Sequence, residues 1–202
     1  GAGTNRFINT GILQKTGGTS SARIGWTFTT TGTVNTPNGS LYLDNWSGNN
    51  TLLGAMTWSE GALNGSVNVL SGAVLNWTGG TAKGAISLDG TLNWANADLN
   101  APLIVSPSGQ LTISNTVTFG YNNGIQNGGG ALTNFGSLIW AGATHYGYGN
   151  AIVHNAGACA IVANINLVIA TGTNVFFNAG TLEKSGGAST ATINWRFTST
   201  GT

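Results

Sequence analysis

Five carboxylates (Asp44, Glu60, Asp89, Asp98 and Glu183), six lysines and arginines and two histidines are all that this 202-residue chain offers for acid–base or metal chemistry. A β-helical glycosidase needs two carboxyl groups facing each other across a cleft, and a β-helical polysaccharide lyase needs calcium-binding carboxylates with a Lys or Arg as base. Only Asp89 and Asp98 lie near one another, with Lys83 close by, and all three read as solvated turn residues. No DxDxDG-like loop and no glycine-rich calcium nonapeptide occurs, which excludes the motif-borne calcium sites of β-rolls. His145 and His154 have neither Cys nor carboxylate around them, a poor metal set. The single Cys159 sits in the apolar run Ala-Gly-Ala-Cys-Ala-Ile; it has no internal disulfide partner and reads as a small core residue rather than a nucleophile. The expectation is no catalytic residue, no metal, no cofactor and no enzymatic activity.

One stretch could hold a ligand. Residues 140–154 gather both histidines and two of the four tyrosines and read as a surface loop packed by its own aromatics. A glycan would be held here, through His145, Tyr146 and Tyr148.

The remaining composition narrows the class further. Charged residues make up 5% of the chain, against roughly 25% in an ordinary soluble domain, and the net charge is +1. That leaves no basic footprint for nucleic acid and no polybasic patch for anionic lipid. No window reaches the ~18 apolar residues of a membrane-spanning helix. The first residues lack the regions of a signal peptide, so the chain is expected to be mature or cut from something longer. With 41% apolar residues, seven Trp and three Pro, it can fill a core and is not a disordered segment. Five Asn-x-Ser/Thr sequons, at Asn38, Asn45, Asn49, Asn64 and Asn76, are no more than so much Asn, Ser and Thr supplies.

Self-similarity is the strongest signal. Residues 3–33 recur without a gap as residues 172–202, an offset of 169, with 19 identities in 31 positions. Inside this unit a shorter motif repeats: Gly39-Ser-Leu-Tyr-Leu43, Gly90-Thr-Leu-Asn-Trp94, Gly109-Gln-Leu-Thr-Ile113 and Gly136-Ser-Leu-Ile-Trp140. Most spacings cluster near 20 residues. Between these lie second short strands, Gly65-Ser-Val-Asn-Val69, Gly84-Ala-Ile-Ser-Leu88 and Thr116-Val-Thr-Phe119. The apolar period is 2, no window keeps a helical period, and Gly and Asn at the corners tolerate positive φ. This predicts an all-β chain, a parallel β-helix (β-solenoid) of about 20 residues per coil, running as one continuous element through residues 1–202. A β-sandwich is the alternative, but it gives the 169-residue repeat no reason to exist.

Six tryptophans follow an aliphatic or Met by two: Trp26, Trp58, Trp77, Trp94, Trp140 and Trp195. Residues two apart on a strand share a face, and the residues between are mostly Asn, Thr or Gly. The six are therefore expected to form a buried core ladder rather than an exposed sugar platform. The threonine tracts Thr27-Phe-Thr-Thr-Thr-Gly-Thr33 and Arg196-Phe-Thr-Ser-Thr-Gly-Thr202 occur once per unit, not once per coil, which defeats an ice-ordering array.

At the repeat, the sequence resembles the repeat regions of large secreted bacterial β-helical surface proteins of the autotransporter-passenger and adhesin type. The matching residues are Leu13-Gln-Lys15-Thr-Gly-Gly18, Leu182-Glu-Lys184-Ser-Gly-Gly187, Thr31-Gly-Thr-Val34, Gly39-Ser-Leu-Tyr-Leu43 and Leu75-Asn-Trp77-Thr-Gly-Gly80. The resemblance implies a right-handed coil, export to the cell surface or beyond, and an adhesive or structural role; it brings no catalytic residues. No barrel or anchoring tail is recognised within these residues. The expected partners are other copies or units stacked end to end, and surface glycans.

Overall fold

In the computed structural model residues 5–35, 38, 41–120 and 129–202 are described. They form a parallel β-solenoid of about nine turns, with about 21 residues per turn and no helix. Short strands with alternating buried and outward residues leave each coil no way to bury its apolar face alone, so each coil lies on the next.

Three rows of strands run up the rod. The first comprises Ala55–Trp58, Val74–Trp77, Thr91–Ala95, Gln110–Ser114, Ser137–Trp140, Ala158–Ile161 and Thr181–Lys184. The second comprises Ala62–Leu63, Thr81–Ala82, Asp98–Leu99, Thr118–Phe119, Ala143–Gly147, Ile165–Ile169 and Thr192–Ile193. The third is an eight-stranded sheet from Asn49–Leu52 to Arg196–Ser199. Every strand pairing is parallel, and the coil length varies. Leu75 pairs with Leu92, Leu132 with Val153, and Pro102 with Ala131 across the longest coil, which contains residues 121–128.

At the start of the rod the rows merge. Ala22–Thr30 is one nine-residue strand, paired to Arg6–Asn9 on one side and to Leu41–Trp46 on the other, with a register shift between Ile24 and Thr27.

Each row stacks like on like. In the first row, Met56, Leu75, Leu92, Leu111, Leu138, Cys159 and Leu182 form one inward ladder, so Cys159 fills a leucine rung. The neighbouring rung carries Trp58, Trp77 and Trp94, whose rings lie 5.2 and 5.0 Å apart and nearly parallel. Trp46 meets Trp58 edge-on at 5.7 Å, and Phe119 meets Trp94 edge-on at 4.9 Å. Burying each such ring contributes about 2–3 kcal/mol, plus the geometry-dependent ring–ring term.

The third row changes character along the rod. Leu52, Val69, Leu88 and Val105 occupy one inward position in successive coils, and Asn134, Asn155, Asn178 and Ser199 continue it. The asparagines are buried and chained: Asn134 Nδ2 donates to Asn155 Oδ1 at 2.7 Å, Asn155 to Asn178 at 2.7 Å, and Asn178 to Ser199 Oγ at 3.1 Å. The same amides also donate to corner carbonyls such as Ala158 O and Thr181 O, which accounts for polar groups at full burial.

The corner glycines that set the spacing have a steric cause. A Cβ on Gly136, Gly157, Gly180 or Gly201 would run into the carbonyl oxygen of the glycine one coil below, Gly109, Gly136, Gly157 or Gly180 respectively. Only glycine lets these corners stack at strand spacing. Other corners turn through Asn96 and Asn115 at φ of 53° and 57°, where asparagine is tolerated.

Candidate functional site

The four described carboxylates do not assemble. Asp98 lies outward on the second row between Thr81 and Thr118, whereas Asp89 stands at the corner before Thr91–Ala95, so a first-row strand separates them. Partial burial raises the Asp98 carboxyl above its ordinary value, opposed by a hydrogen bond with Thr118. Glu60, Glu183 and Lys83 are exposed at other places on the rod, and the side chain of Asp44 lies outside the described residues. No group of three or more His, Cys, Asp or Glu converges among the described residues. Cys159 is buried in its ladder; burial pushes the thiol up to about 12, with Trp140 opposing, which removes the thiolate a nucleophile needs.

The expected glycan contacts also come apart. Residues 140–154 are not a surface loop; they form two regular strands, Ala143–Gly147 and Ile152–Asn155. The alternation of the first strand turns His145 fully inward, where its ring packs against Trp140 at 4.9 Å. Its neighbour Tyr146 points outward between Thr118 and Val168. Tyr148 is half-buried at the following corner. His145 therefore cannot touch an external ligand, and the three side chains share no surface. Burial pushes the His145 pKa down to about 4, with the Gly142 backbone opposing. The second histidine, His154, is on the outer surface of the third row and packs against Phe177 at 5.0 Å.

The tryptophan ladder divides. Trp58, Trp77, Trp94, Trp140 and Trp195 are buried, and Trp46 joins them although it stands three residues after Leu43. Trp26 does not: it is 52% exposed at the start of the rod. Its equivalent one unit later, Trp195, is 3% exposed and donates Nε1–H to Val168 O at 3.0 Å. Trp195 reaches past Gly147 to meet Phe119 edge-on at 5.5 Å, and a Cβ on Gly147 would press on its ring. Gly147 is the hole and Trp195 the knob. Nothing described lies beneath Trp26 to offer such a hole.

The two copies share several local contacts, although Ala22–Thr30 is one strand where the second copy has two, Thr192–Ile193 and Arg196–Ser199. Lys15 Nζ donates to the carbonyls of Gly17 and Gly18 at 2.9 and 2.6 Å, and Lys184 does the same to Gly186 and Gly187 at 2.6 and 2.8 Å. The Leu-x-Lys-x-Gly-Gly motif is thus a turn held by its own lysine. Phe7 packs on Phe28 at 5.7 Å, as Phe176 packs on Phe197 at 5.7 Å. Asn9 donates to Thr30 Oγ1 as Asn178 donates to Ser199.

The copies differ in which side is covered. Phe28 is fully buried under the following coil, whereas Phe197 is 45% exposed. At the start of the rod, Phe7, Leu13, Gln14, Lys15, Ala22, Ile24 and Leu41 line a cavity of about 280 Å³, and Phe7, Arg23, Ile24, Gly25 and Trp26 line another of about 340 Å³.

No protein-family model, curated protein or solved structure matches the chain. No helix among the described residues is long and apolar enough to cross a membrane.

Proposed function

We propose that this chain is a segment of an extracellular bacterial rod whose role is structural or adhesive, and whose 169-residue units stack end to end. The observation that carries this reading is the second copy of the repeat. Residues 172–202 extend the three rows of strands by one further coil and repeat the lysine-held turn and the Phe and Asn contacts of residues 5–33. One unit therefore passes into the next as a solenoid, without a linker. At about 21 residues per turn and about 4.8 Å per coil, each unit lengthens the rod by on the order of 40 Å.

A surface with so few charges has little with which to perform acid–base chemistry, and the reading assigns it none. A carbohydrate-binding β-helix would present Trp58, Trp77 and Trp94 in an exposed row, and a carbohydrate-cleaving one would bring Asp89 and Asp98 together in a groove. The three tryptophans are instead core, and the two carboxylates lie on different parts of the coil.

Electron microscopy of the purified chain at neutral pH tests the proposal. Filaments with an axial repeat of about 40–45 Å are expected for chains of about nine turns at about 4.8 Å per coil; short dispersed particles at high concentration would refute end-to-end stacking.

A further inference from the structure

The outer surface of the third row changes character along the rod, as its inner surface does. On the first three strands the outward positions carry Asn49, Thr51, Ser66, Asn68 and Ser87, and Ser66 Oγ donates to Asn49 Oδ1 at 2.8 Å. From the fourth strand onward they turn apolar. Pro102, Ile104, Ile152, Val175 and Phe177 point outward, and Phe135 stands at the corner beside them. Ile104, Phe135 and Ile152 are 44%, 48% and 45% exposed. Resting on the adhesive side of the reading above, we propose that this face binds a neutral polysaccharide, whose sugar rings lie on the side chains of successive coils.

Two local rules are broken together in these coils. Apolar groups inside and polar groups outside favour folding, yet Asn134, Asn155 and Asn178 are inside while Ile104, Ile152 and Phe177 are outside. The inner amides bond to one another. The outer apolar groups contribute little to the fold, which marks a surface kept for a partner.

Charge and area select that partner. None of the four strands Pro102–Val105, Ala131–Asn134, Ile152–Asn155 and Val175–Asn178 carries a Lys, Arg, Asp or Glu, so the face offers nothing to an acidic or basic ligand. Four strands of four residues, at ~3.3 Å per residue and ~4.8 Å between strands, make a flat area of about 250 Å². A stable protein interface takes roughly 800 Å² from each partner, so a second copy or a folded protein finds too little to hold. A sugar polymer needs less at each contact and draws on several at once. Its rings present C–H faces to aromatic and aliphatic side chains and hydroxyls at their rims. The outward column Thr133, His154, Phe177 and Thr198 runs up the rod in register. His154 and Phe177, with ring centroids 5.0 Å apart, supply the ring surface. The His154 imidazole and the two threonine hydroxyls supply donors and acceptors for the rim. The histidine that meets sugar is then His154 rather than His145.

Ile152→Thr with Phe177→Thr alters this face and leaves the core intact; Ile152→Thr alone is the milder second variant. Retention of the parent chain, both variants and Tyr146→Thr, which removes an outward aromatic from the second row, is measured on cellulose, chitin and mannan, with heparin as the anionic comparison. Circular dichroism confirms folding, and sedimentation velocity reports self-association. The parent and Tyr146→Thr are expected to be held by at least one neutral polysaccharide irrespective of salt, Ile152→Thr less well, and the double variant at least about tenfold more weakly. Retention on none of the three, retention on heparin alone, or equal retention of the double variant would overturn the proposal. So would a parent dimer that the double variant abolishes, which would give the face to a second copy. Filaments without retention would overturn this site and leave the stacking rod standing; retention without filaments would do the reverse.

Discussion

Trp77 and Trp26 stand in the same aliphatic-x-Trp frame, yet their surroundings assign them opposite energetic weights. Trp77 lies between two nearly parallel indoles, Trp58 and Trp94, so Trp77→Ala should cost about 3–5 kcal/mol. Trp26→Ala, on the open end, should cost less than about 1 kcal/mol in the isolated chain. Urea unfolding followed by circular dichroism separates the two. His145 has its own signature. Its folded pKa of about 4 lies below the ordinary 6.5, so the unfolded chain binds more protons between these values. Stability should then be full above about pH 6.5 and decline, on the order of 2–3 kcal/mol, as pH falls towards 4. His145→Leu should flatten that decline in urea midpoints measured at pH 7 and pH 4.5; an unchanged slope would assign it to other groups. Residue alternation was enough to foresee the core position of Trp77. It misplaced His145 because the clustered tyrosines looked like a loop, although a strict period of 2 turns His145 inward whenever Tyr146 faces out. It misplaced Trp26 because periodicity records which way a side chain points, not whether a coil exists to meet it. Trp46 escaped notice because the register slips next to the strand that holds it.

At the scale of the strand, the third row shows two ways of building the same position. Leu52, Val69, Leu88 and Val105 fill it with apolar volume; Asn134, Asn155 and Asn178 fill it with amides that bond to one another and to the corners. The second solution tolerates less. Asn155→Ala removes the acceptor for Asn134 and the donor for Asn178 at once, and should cost about 2–3 kcal/mol by leaving buried amide groups unpaired. Val69→Ala in the apolar stretch should leave no polar group behind. Hydrogen exchange of the strands flanking Asn155 is the direct check, and protection unchanged from the parent would refute the ladder's contribution. The rows and coil length could be read in advance from glycine spacing, since the stacked corners exclude any side chain. The amide ladder could not be read from composition, where asparagine looks like a turn residue. Its trace was nonetheless present as Asn-x-Gly at Asn9, Asn134, Asn155 and Asn178, always two residues before a corner glycine.

For the whole molecule, one sequence motif stands in two surroundings. Phe28 lies in register with Trp46 and is fully buried, whereas Phe197 is 45% exposed on the third row; Trp26 is 52% exposed, and Trp195 3%. The axial repeat of about 40–45 Å expected in filaments follows from the number of turns and the strand spacing together; a repeat outside that range would mean that copies do not meet end to end. The parallel pairing of every coil with the next also governs how such a rod comes into being. Hydrogen-bonded partners lie 17 residues apart at Asn76 and Asn93, and 23 apart at Asn155 and Asn178. The stretch of chain that must be closed to add a coil ranges from 17 residues there to the 29 between Pro102 and Ala131, and closure entropy grows only slowly with that stretch and not with total length. A solenoid of several such units would fold at the same pace per coil as a single one, growing from whichever coil forms first.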